Sequence, residues 1–129
     1  DISQRLYFYR RLASIEVESE LQDVEIELQD RYGLLPVEAH NLLLIMLLRY
    51  HLKQLGVNSI MNGKKNIVLT LDPATKVPPE KLVFLMTNRK KKYSFTKDNK
   101  LYIAINEEAT IHSILSEVLT LKDILFAKA

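Results

Sequence analysis

The fold is decided by residues 36–71, which read PVEAHNLLLIMLLRYHLKQLGVNSIMNGKKNIVLTL. Seven consecutive apolar residues, 42–48, surround the first half of this stretch almost completely. Pro36 stands where a helix would begin, because its missing N–H is harmless in the first turn, and Gly56 stands just past the helix end. The pattern therefore predicts a central buried helix that ends at Leu55.

After Gly56 the apolar spacing changes from that of a helix to that of strands. Residues 57–61 and 67–71 predict two strands, and the glycine-containing turn at 62–65 joins them in a β-hairpin. The remaining C-terminal elements follow in the same way from proline positions and apolar spacing. They are a short helix opening at Pro78 or Pro79, a second hairpin with strands at 93–95 and 101–105, and a long helix from about Glu107.

Upstream of the deciding stretch, apolar residues at helical spacing predict two more helices. The first spans residues 2–14, and the second runs from Glu18 or Ser19 to Gly33. The predicted fold class is therefore α+β, with three N-terminal helices, two β-hairpins that form a small sheet, a short connecting helix and a long C-terminal helix. Residues 1–129 are expected to form a single domain.

The composition limits the classes of protein to which this chain can belong. It has 129 residues, a formal net charge of +2 and no cysteine, so disulfides and thiolate metal sites are excluded. The longest apolar run is seven residues, whereas a membrane-spanning helix needs about 20, and the N-terminus has no signal-peptide core. We expect a cytoplasmic protein with no membrane partner. Because the chain begins at Asp1 rather than at methionine, we also expect a piece of a longer protein.

The known catalytic and ligand-binding motifs are missing from the sequence. Its three glycines cannot form a dinucleotide-binding or phosphate-binding loop, and no serine lies in a nucleophile elbow. His40, His51 and His112 lack the spacing of a helical metal site, and we expect the first two on a partly solvated flank of the central helix. The domain is thus expected to have no catalytic residue, cofactor or metal of its own. A hidden enzyme would require a deep pocket lined by titratable groups with shifted pKa values.

Basic residues are concentrated in the strand-rich middle of the chain. Residues 57–105 carry ten Lys or Arg against three Asp or Glu, a local charge of +7, and a basic run there precedes Tyr93 and Phe95. This basic run consists of Arg89, Lys90, Lys91 and Lys92. The pattern fits a nucleic-acid interface that neutralises phosphates and stacks on bases. It also fits a solvated loop whose neighbouring rings turn into the core, which is favoured because four residues are few for a nucleic-acid footprint.

Acidic residues lie on one face of the second predicted helix. At 100° per residue, four of them fall within an arc of about 80°, beside an apolar stripe. No basic residue compensates them before Arg31, although like charges at this spacing repel by a few tenths of a kcal/mol. The pattern indicates a docking surface for a basic protein, and its alternative is a solvated helix face. The acidic stripe consists of Glu20, Asp23, Glu27 and Asp30, and the apolar stripe of Val17, Leu21, Val24 and Leu28.

Two segments of the N-terminal half resemble a known family. They are Arg5-Leu6-Tyr7-Phe8-Tyr9-Arg10-Arg11-Leu12-Ala13 and, after Glu20-Leu21, Glu27-Leu28-Gln29-Asp30-Arg31-Tyr32-Gly33-Leu34-Leu35-Pro36. Together with the Leu55-Gly56 pair, they resemble the C-terminal domain of the bacterial transcription-repair coupling factor family over roughly the first 56 residues. That family usually has phenylalanine where Tyr32 stands, a change that keeps the aromatic ring.

The resemblance implies the C-terminal regulatory module of a large ATP-dependent DNA translocase, which displaces stalled RNA polymerase and recruits nucleotide-excision repair. In that family the domain packs on an N-terminal UvrB-like module and masks the surface that binds UvrA until the protein engages RNA polymerase. ATP and magnesium are implied for the parent protein only. Carried over by position, Glu27, Asp30 and Arg31 match the family's contact to the UvrB-like module. Arg31 has two possible partners, one within this motif and one on the docked module.

The small net charge conceals two surfaces of opposite sign. Residues 1–56 carry −3, whereas residues 57–105 carry +7. The leading hypothesis is a non-catalytic, autoinhibitory docking domain. Its contact residues would be Glu20, Asp23, Glu27, Asp30 and Arg31. The alternative is a nucleic-acid-contacting module that uses the 57–105 region.

Overall fold

A computed structural model describes residues 7, 10, 11, 18–34 and 37–126. These residues form four helices and a four-stranded antiparallel sheet, so the predicted α+β class is confirmed. Contacts within the chain fall into two compact units, residues 1–50 and 51–129, and each is described by itself. The helix predicted over residues 2–14 lies outside the described residues except for Tyr7, Arg10 and Arg11, whose backbone is helical.

The first unit contains helix α1, Glu18–Tyr32, and most of helix α2, Val37–Leu55. As predicted, α1 ends at Gly33, whose N–H donates to the Gln29 carbonyl at 2.8 Å. The two helices pack through a small apolar cluster, and the apolar stripe of α1 supplies three of its members. The buried members are Leu21, Val24, Leu28 and Leu43, with Leu42, Met46 and Leu47 packed against them.

Helix α2 is less buried than the sequence predicts. Leu43 is buried in the contact with α1, whereas Ile45 is 48% exposed. Residues two positions apart in an α-helix are separated by about 200° around its axis, so the Leu43 and Ile45 side chains point in nearly opposite directions. A run of seven apolar residues therefore faces all sides of the helix. The helix predicted as central and buried is only partly buried.

The second unit contains the sheet, helix α3, Pro79–Asn88, and helix α4, Ile111–Leu125. Both predicted hairpins are confirmed, and they form one sheet in the order β1-β2-β4-β3. The strands are β1, Val57–Asn62, β2, Asn66–Leu71, β3, Tyr93–Phe95, and β4, Lys100–Ala104. Because β2 pairs with β4, the end of β4 lies between the β1–β2 turn and the segment that enters β3.

One face of the sheet forms the core of the second unit. Alternate residues of the two central strands are fully or almost fully buried, and Leu69 pairs directly with Leu101. Helix α3 contacts β3 and α4, and it contributes the buried Leu85. Helix α4 contributes five further buried side chains. They are Ile114, Leu115, Val118, Leu121 and Leu125.

Helix α4 begins later than predicted because a capping box fixes its start. The Thr110 hydroxyl accepts the Ser113 N–H at 3.2 Å, while the Ser113 hydroxyl accepts the Thr110 N–H at 2.8 Å. These bonds satisfy two of the backbone donors that a helix N-terminus leaves without partners. Glu107 and Glu108 therefore lie in the preceding loop rather than in the first turn of the helix.

None of the helices in the described part of the chain is both long enough and apolar enough to span a membrane.

Candidate functional site

The acidic stripe lies on the exposed side of α1. Glu20, Asp23 and Asp30 are exposed, and Glu27 is half-buried. They occupy the face next to Leu21, Val24 and Leu28, the side chains that hold α1 against α2. Helix α1 therefore presents the acidic side chains to solvent while its apolar stripe packs against α2.

Glu27 is held between two arginines. Its carboxylate pairs with Arg11 through Oε2 and lies 3.8 Å from Arg31 Nη2 through Oε1. The Arg11 guanidinium also lies 5.8 Å from the centroid of the Tyr7 ring. Sequence reasoning missed Arg11 because the contact joins two separate segments. The pairing gives Glu27 a structural role and partly compensates its charge.

An exposed isoleucine borders the acidic stripe, and sequence reasoning also missed it. Ile26 is 58% exposed and lies three residues after Asp23 and four residues before Asp30, so it is a surface neighbour of both. The signal was present in the sequence as an apolar residue outside the apolar stripe. Protein interfaces commonly combine an apolar centre with a charged rim, and this arrangement has both parts.

The basic run divides into one structural residue and three exposed ones. Lys92 Nζ lies 2.9 Å from Glu117 Oε2 of α4, a buried oxygen that would otherwise lie without a charge partner. Arg89, Lys90 and Lys91 are exposed. Of the four residues predicted to contact nucleic acid, Lys92 therefore has a structural role in an ion pair with Glu117.

The aromatic part of the predicted nucleic-acid pattern is buried. Tyr93 is only 2% exposed and Phe95 is half-buried, so the rings turn into the core as in the solvated-loop interpretation. Burial raises the pKa of the Tyr93 phenol, the Glu117 carboxylate raises it further, and Arg89 lowers it. Neither ring is placed to stack on a base.

This environment of Tyr93 predicts a loss of stability at alkaline pH. The unfolded chain releases the phenolic proton near pH 10, whereas the folded chain retains it to higher pH. The contribution of the protonated Tyr93 phenol to the free energy of unfolding is therefore fully present below about pH 10. It is lost as the pH rises through the raised pKa. We expect Tyr93→Phe to make the free energy of unfolding less pH-dependent above about pH 10.

Urea denaturation at a series of pH values measures this difference. Tyr102→Phe is the matched control, because it removes a hydroxyl from a half-buried tyrosine on the neighbouring strand. Parallel pH profiles for the Tyr93→Phe variant and the unmodified chain would contradict the assignment.

The opposite end of the sheet, at the β3–β4 turn, has its own compensated charges. The Thr96 hydroxyl donates to Asp98 Oδ1. This bond first, then a backbone hydrogen bond at Asp98 and the charge of Lys100, hold the pKa of the Asp98 carboxyl below its ordinary value. Lys100 Nζ lies 3.6 Å from Asp98 Oδ2. Asp98 and Lys100 are thus paired with each other.

The histidines do not share the environment that the sequence predicts. His40 is exposed, but His51 is 4% exposed, and its Nδ1 accepts from Lys122 Nζ of α4 at 3.1 Å. The expectation of a partly solvated His51 was wrong because the last turns of α2 belong to the second unit, where α4 reaches them. Among the described residues, no group of three or more His, Cys, Asp or Glu is arranged to hold a metal ion.

Comparison with known proteins identifies the family of this chain. The model of the family described as TRCF domain matches residues 1–82. The transcription-repair-coupling factor of Escherichia coli (strain K12) is 35% identical over 101 residues, an alignment that covers 78% of this chain and 9% of that protein. The chain belongs to the TRCF domain family. The resemblance found in the N-terminal motifs is thereby confirmed.

Two further similarities extend over most or all of the chain. The transcription-repair-coupling factor of Myxococcus xanthus is 31% identical over 117 residues, which covers 91% of this chain and 10% of that protein. A crystal structure of the C-terminal domain of a transcription-repair coupling factor matches with a TM-score of 0.75 and 18% identity, covering 100% of this chain and 85% of that one. The second comparison establishes a shared fold. The chain spans about a tenth of the length of the curated relatives it matches.

Proposed function

We propose that this TRCF domain is a non-catalytic docking domain that keeps its parent protein in an inhibited state. The parent would be an ATP-dependent DNA translocase that works with RNA polymerase and recruits nucleotide-excision repair. The domain would pack on the parent's N-terminal UvrB-like module and mask the surface that binds UvrA. The observation that carries the proposal is the acidic stripe on α1, which lies within the segment matched by the family model.

The exposed acids favour a partner with basic side chains. Asp23 and Asp30 are seven residues apart, which corresponds to about 10 Å along the helix axis, so they would contact separate basic groups. Ile26 lies between them and would be covered by the partner. Charge complementarity fixes the register of such a contact, and burial of the isoleucine adds affinity.

Glu27 and Arg31 have a different part in the proposed contact. Glu27 is already paired with Arg11, so we assign it mainly to positioning the stripe and Arg31. Arg31 is 49% exposed and only 3.8 Å from Glu27, which leaves its guanidinium at the edge of the stripe, where an acidic group of the partner would meet it. Asp23 and Asp30 then supply the charge that the partner recognises.

The test is a binding titration of the chain with the isolated UvrB-like module of its parent protein. We expect Asp23→Asn combined with Asp30→Asn to weaken binding about tenfold, because two partly screened ion pairs are lost. Binding of the unmodified chain should also weaken as the salt concentration rises. Ile26→Ser should weaken binding at every salt concentration, because the contribution of the isoleucine is apolar.

The control removes the same charge from elsewhere in the first unit. Glu25→Gln combined with Glu38→Gln lies outside the acidic stripe and should leave the affinity within about twofold. Thermal unfolding checks that each variant is folded. Equal affinities for the Asp23→Asn, Asp30→Asn variant and the unmodified chain would overturn the charge-based contact. Equal losses of affinity in both double variants would indicate an unspecific charge effect instead.

A further inference from the structure

Two basic segments that are distant in sequence meet at one end of the sheet. The Ile105 N–H donates to the Lys65 carbonyl at 2.9 Å, and the Ala104 N–H donates to the Lys92 carbonyl at 2.8 Å. The β1–β2 turn and the α3–β3 loop therefore flank the end of β4 on opposite sides. Adjacent strands are about 4.8 Å apart, so the two basic segments are separated by about 10 Å at the backbone.

The side chains of these segments form a surface that we call the basic end. All of them are exposed, and none forms an ion pair with a residue that the structure describes. The basic end consists of Lys64, Lys65, Arg89, Lys90 and Lys91. Lys92 is excluded because it pairs with Glu117. Two exposed acids, Glu107 and Glu108, follow β4 closely and reduce the local charge without cancelling it.

The sheet face that turns away from the core carries no acidic side chain. Register and burial place Leu69 and Leu101 on the core face, so their neighbours in each strand lie on the other one. That face consists of Ser59, Met61, Asn66, Val68, Thr70, Ser94, Lys100, Tyr102 and Ala104. A polyanion lying at the basic end would therefore meet no like charge from this face of the sheet.

We propose that the basic end binds the sugar-phosphate backbone of duplex DNA without sequence preference. Five exposed cations spread over two segments match a row of phosphates better than they match a single small anion. A small anion would need a buried binding group, and the described residues of this surface form none. Duplex is favoured over single-stranded nucleic acid because Tyr93, the aromatic residue that directly follows the basic run, is buried and does not stack on bases. This activity lies in the second unit and does not depend on the docking function proposed for α1.

The salt dependence of binding measures how many phosphates are neutralised. Each phosphate contact contributes about −0.9 to the slope of log affinity against log salt concentration. If four of the five cations make contacts, the slope is about −3.6. Raising the salt from roughly 50 to 200 mM should then weaken binding by roughly 150-fold.

The experiment is a fluorescence-anisotropy titration of the 129-residue chain with a labelled random-sequence duplex. Two double variants each remove two of the five cations, Lys64→Ala with Lys65→Ala and Lys90→Ala with Lys91→Ala. We expect each to weaken binding at least tenfold at low salt and to reduce the salt slope by about 2. Glu107→Gln with Glu108→Gln should tighten binding, because it removes the only acids that follow the end of β4 before α4 begins.

The matched control is Lys76→Ala with Lys97→Ala, which removes two exposed charges near the opposite end of the sheet. It should leave the affinity within about threefold and the slope nearly unchanged. The proposal is overturned by any of three results: no duplex binding at low salt, equal losses in the control and basic-end variants, or tighter binding of poly-glutamate than of the duplex at the same salt concentration. The duplex titration does not measure docking through α1, so each of the two proposals can be contradicted without affecting the other.

Discussion

Replacing Leu69 by alanine is expected to lower the free energy of unfolding of the second unit by about 3 kcal/mol. Leu69 is fully buried in β2, where it pairs with Ile60 of β1 on one side and Leu101 of β4 on the other. Its truncation removes apolar contacts to both neighbouring strands and leaves a cavity that two paired strands cannot easily close. Chemical denaturation measures the change.

Two neighbouring substitutions serve as controls for the Leu69 prediction. Val68→Ala changes the adjacent residue on the opposite face, which is only half-buried, and is expected to cost about 1 kcal/mol. Leu69→Met keeps the volume and is expected to cost less than about 1.5 kcal/mol. A cost for Leu69→Ala no greater than that for Val68→Ala would show that the core does not lie on the face assigned to it.

Replacing Gly56 by alanine is expected to cost about 3 kcal/mol for two separate reasons. Gly56 has a φ of +71°, a conformation that costs a residue with a side chain about 1–2 kcal/mol. A Cβ at this position would also lie 2.7 Å from Thr75 Oγ1 and 3.0 Å from Thr75 Cα. Thr75 cannot easily move, because its hydroxyl donates to the Leu55 carbonyl at the end of α2 at 2.6 Å. The overlap adds strain of the kind caused by overpacking.

Gly33 separates the two contributions at Gly56. It has a φ of +74°, but a Cβ there would meet no atom within 4 Å from the described residues other than its chain neighbours. Gly33→Ala is therefore expected to cost about 1 kcal/mol, the conformational part alone. Denaturation of both alanine variants gives the comparison. Equal costs at the two positions would show that Thr75 moves away freely and that contact is not the reason for glycine at residue 56.

The local elements could be predicted from the sequence because their signals lie within a few residues. The end of α1 at Gly33 follows from one glycine, and the first hairpin follows from the turn at 62–65 between two apolar segments. The start of α4 was misplaced by a few residues, since Thr110 and Ser113 form the cap although acidic residues precede them. Helix starts depend on individual hydrogen bonds, which apolar spacing does not report.

The candidate surfaces could be predicted only in part, because their completion depends on contacts between distant segments. Helical spacing placed Asp23 and Asp30 on one exposed face, but it did not show that Glu27 is paired with Arg11. The position of Lys65 across the end of β4 from the basic run follows from the β2–β4 and β3–β4 pairings, which no local pattern encodes. The burial of His51 likewise depends on α4, more than fifty residues further along the chain.

The two edges of the sheet determine how the second unit can recognise other molecules. Strand β3 has three residues, and the register of β1 is irregular between Val57 and Ser59. Short or irregular edge strands offer a poor template for an additional strand and protect a sheet from edge-to-edge aggregation. Partners are therefore expected to meet this unit through side chains rather than by extending its sheet, a mode of recognition that is adjusted by single substitutions and leaves the backbone pairing intact.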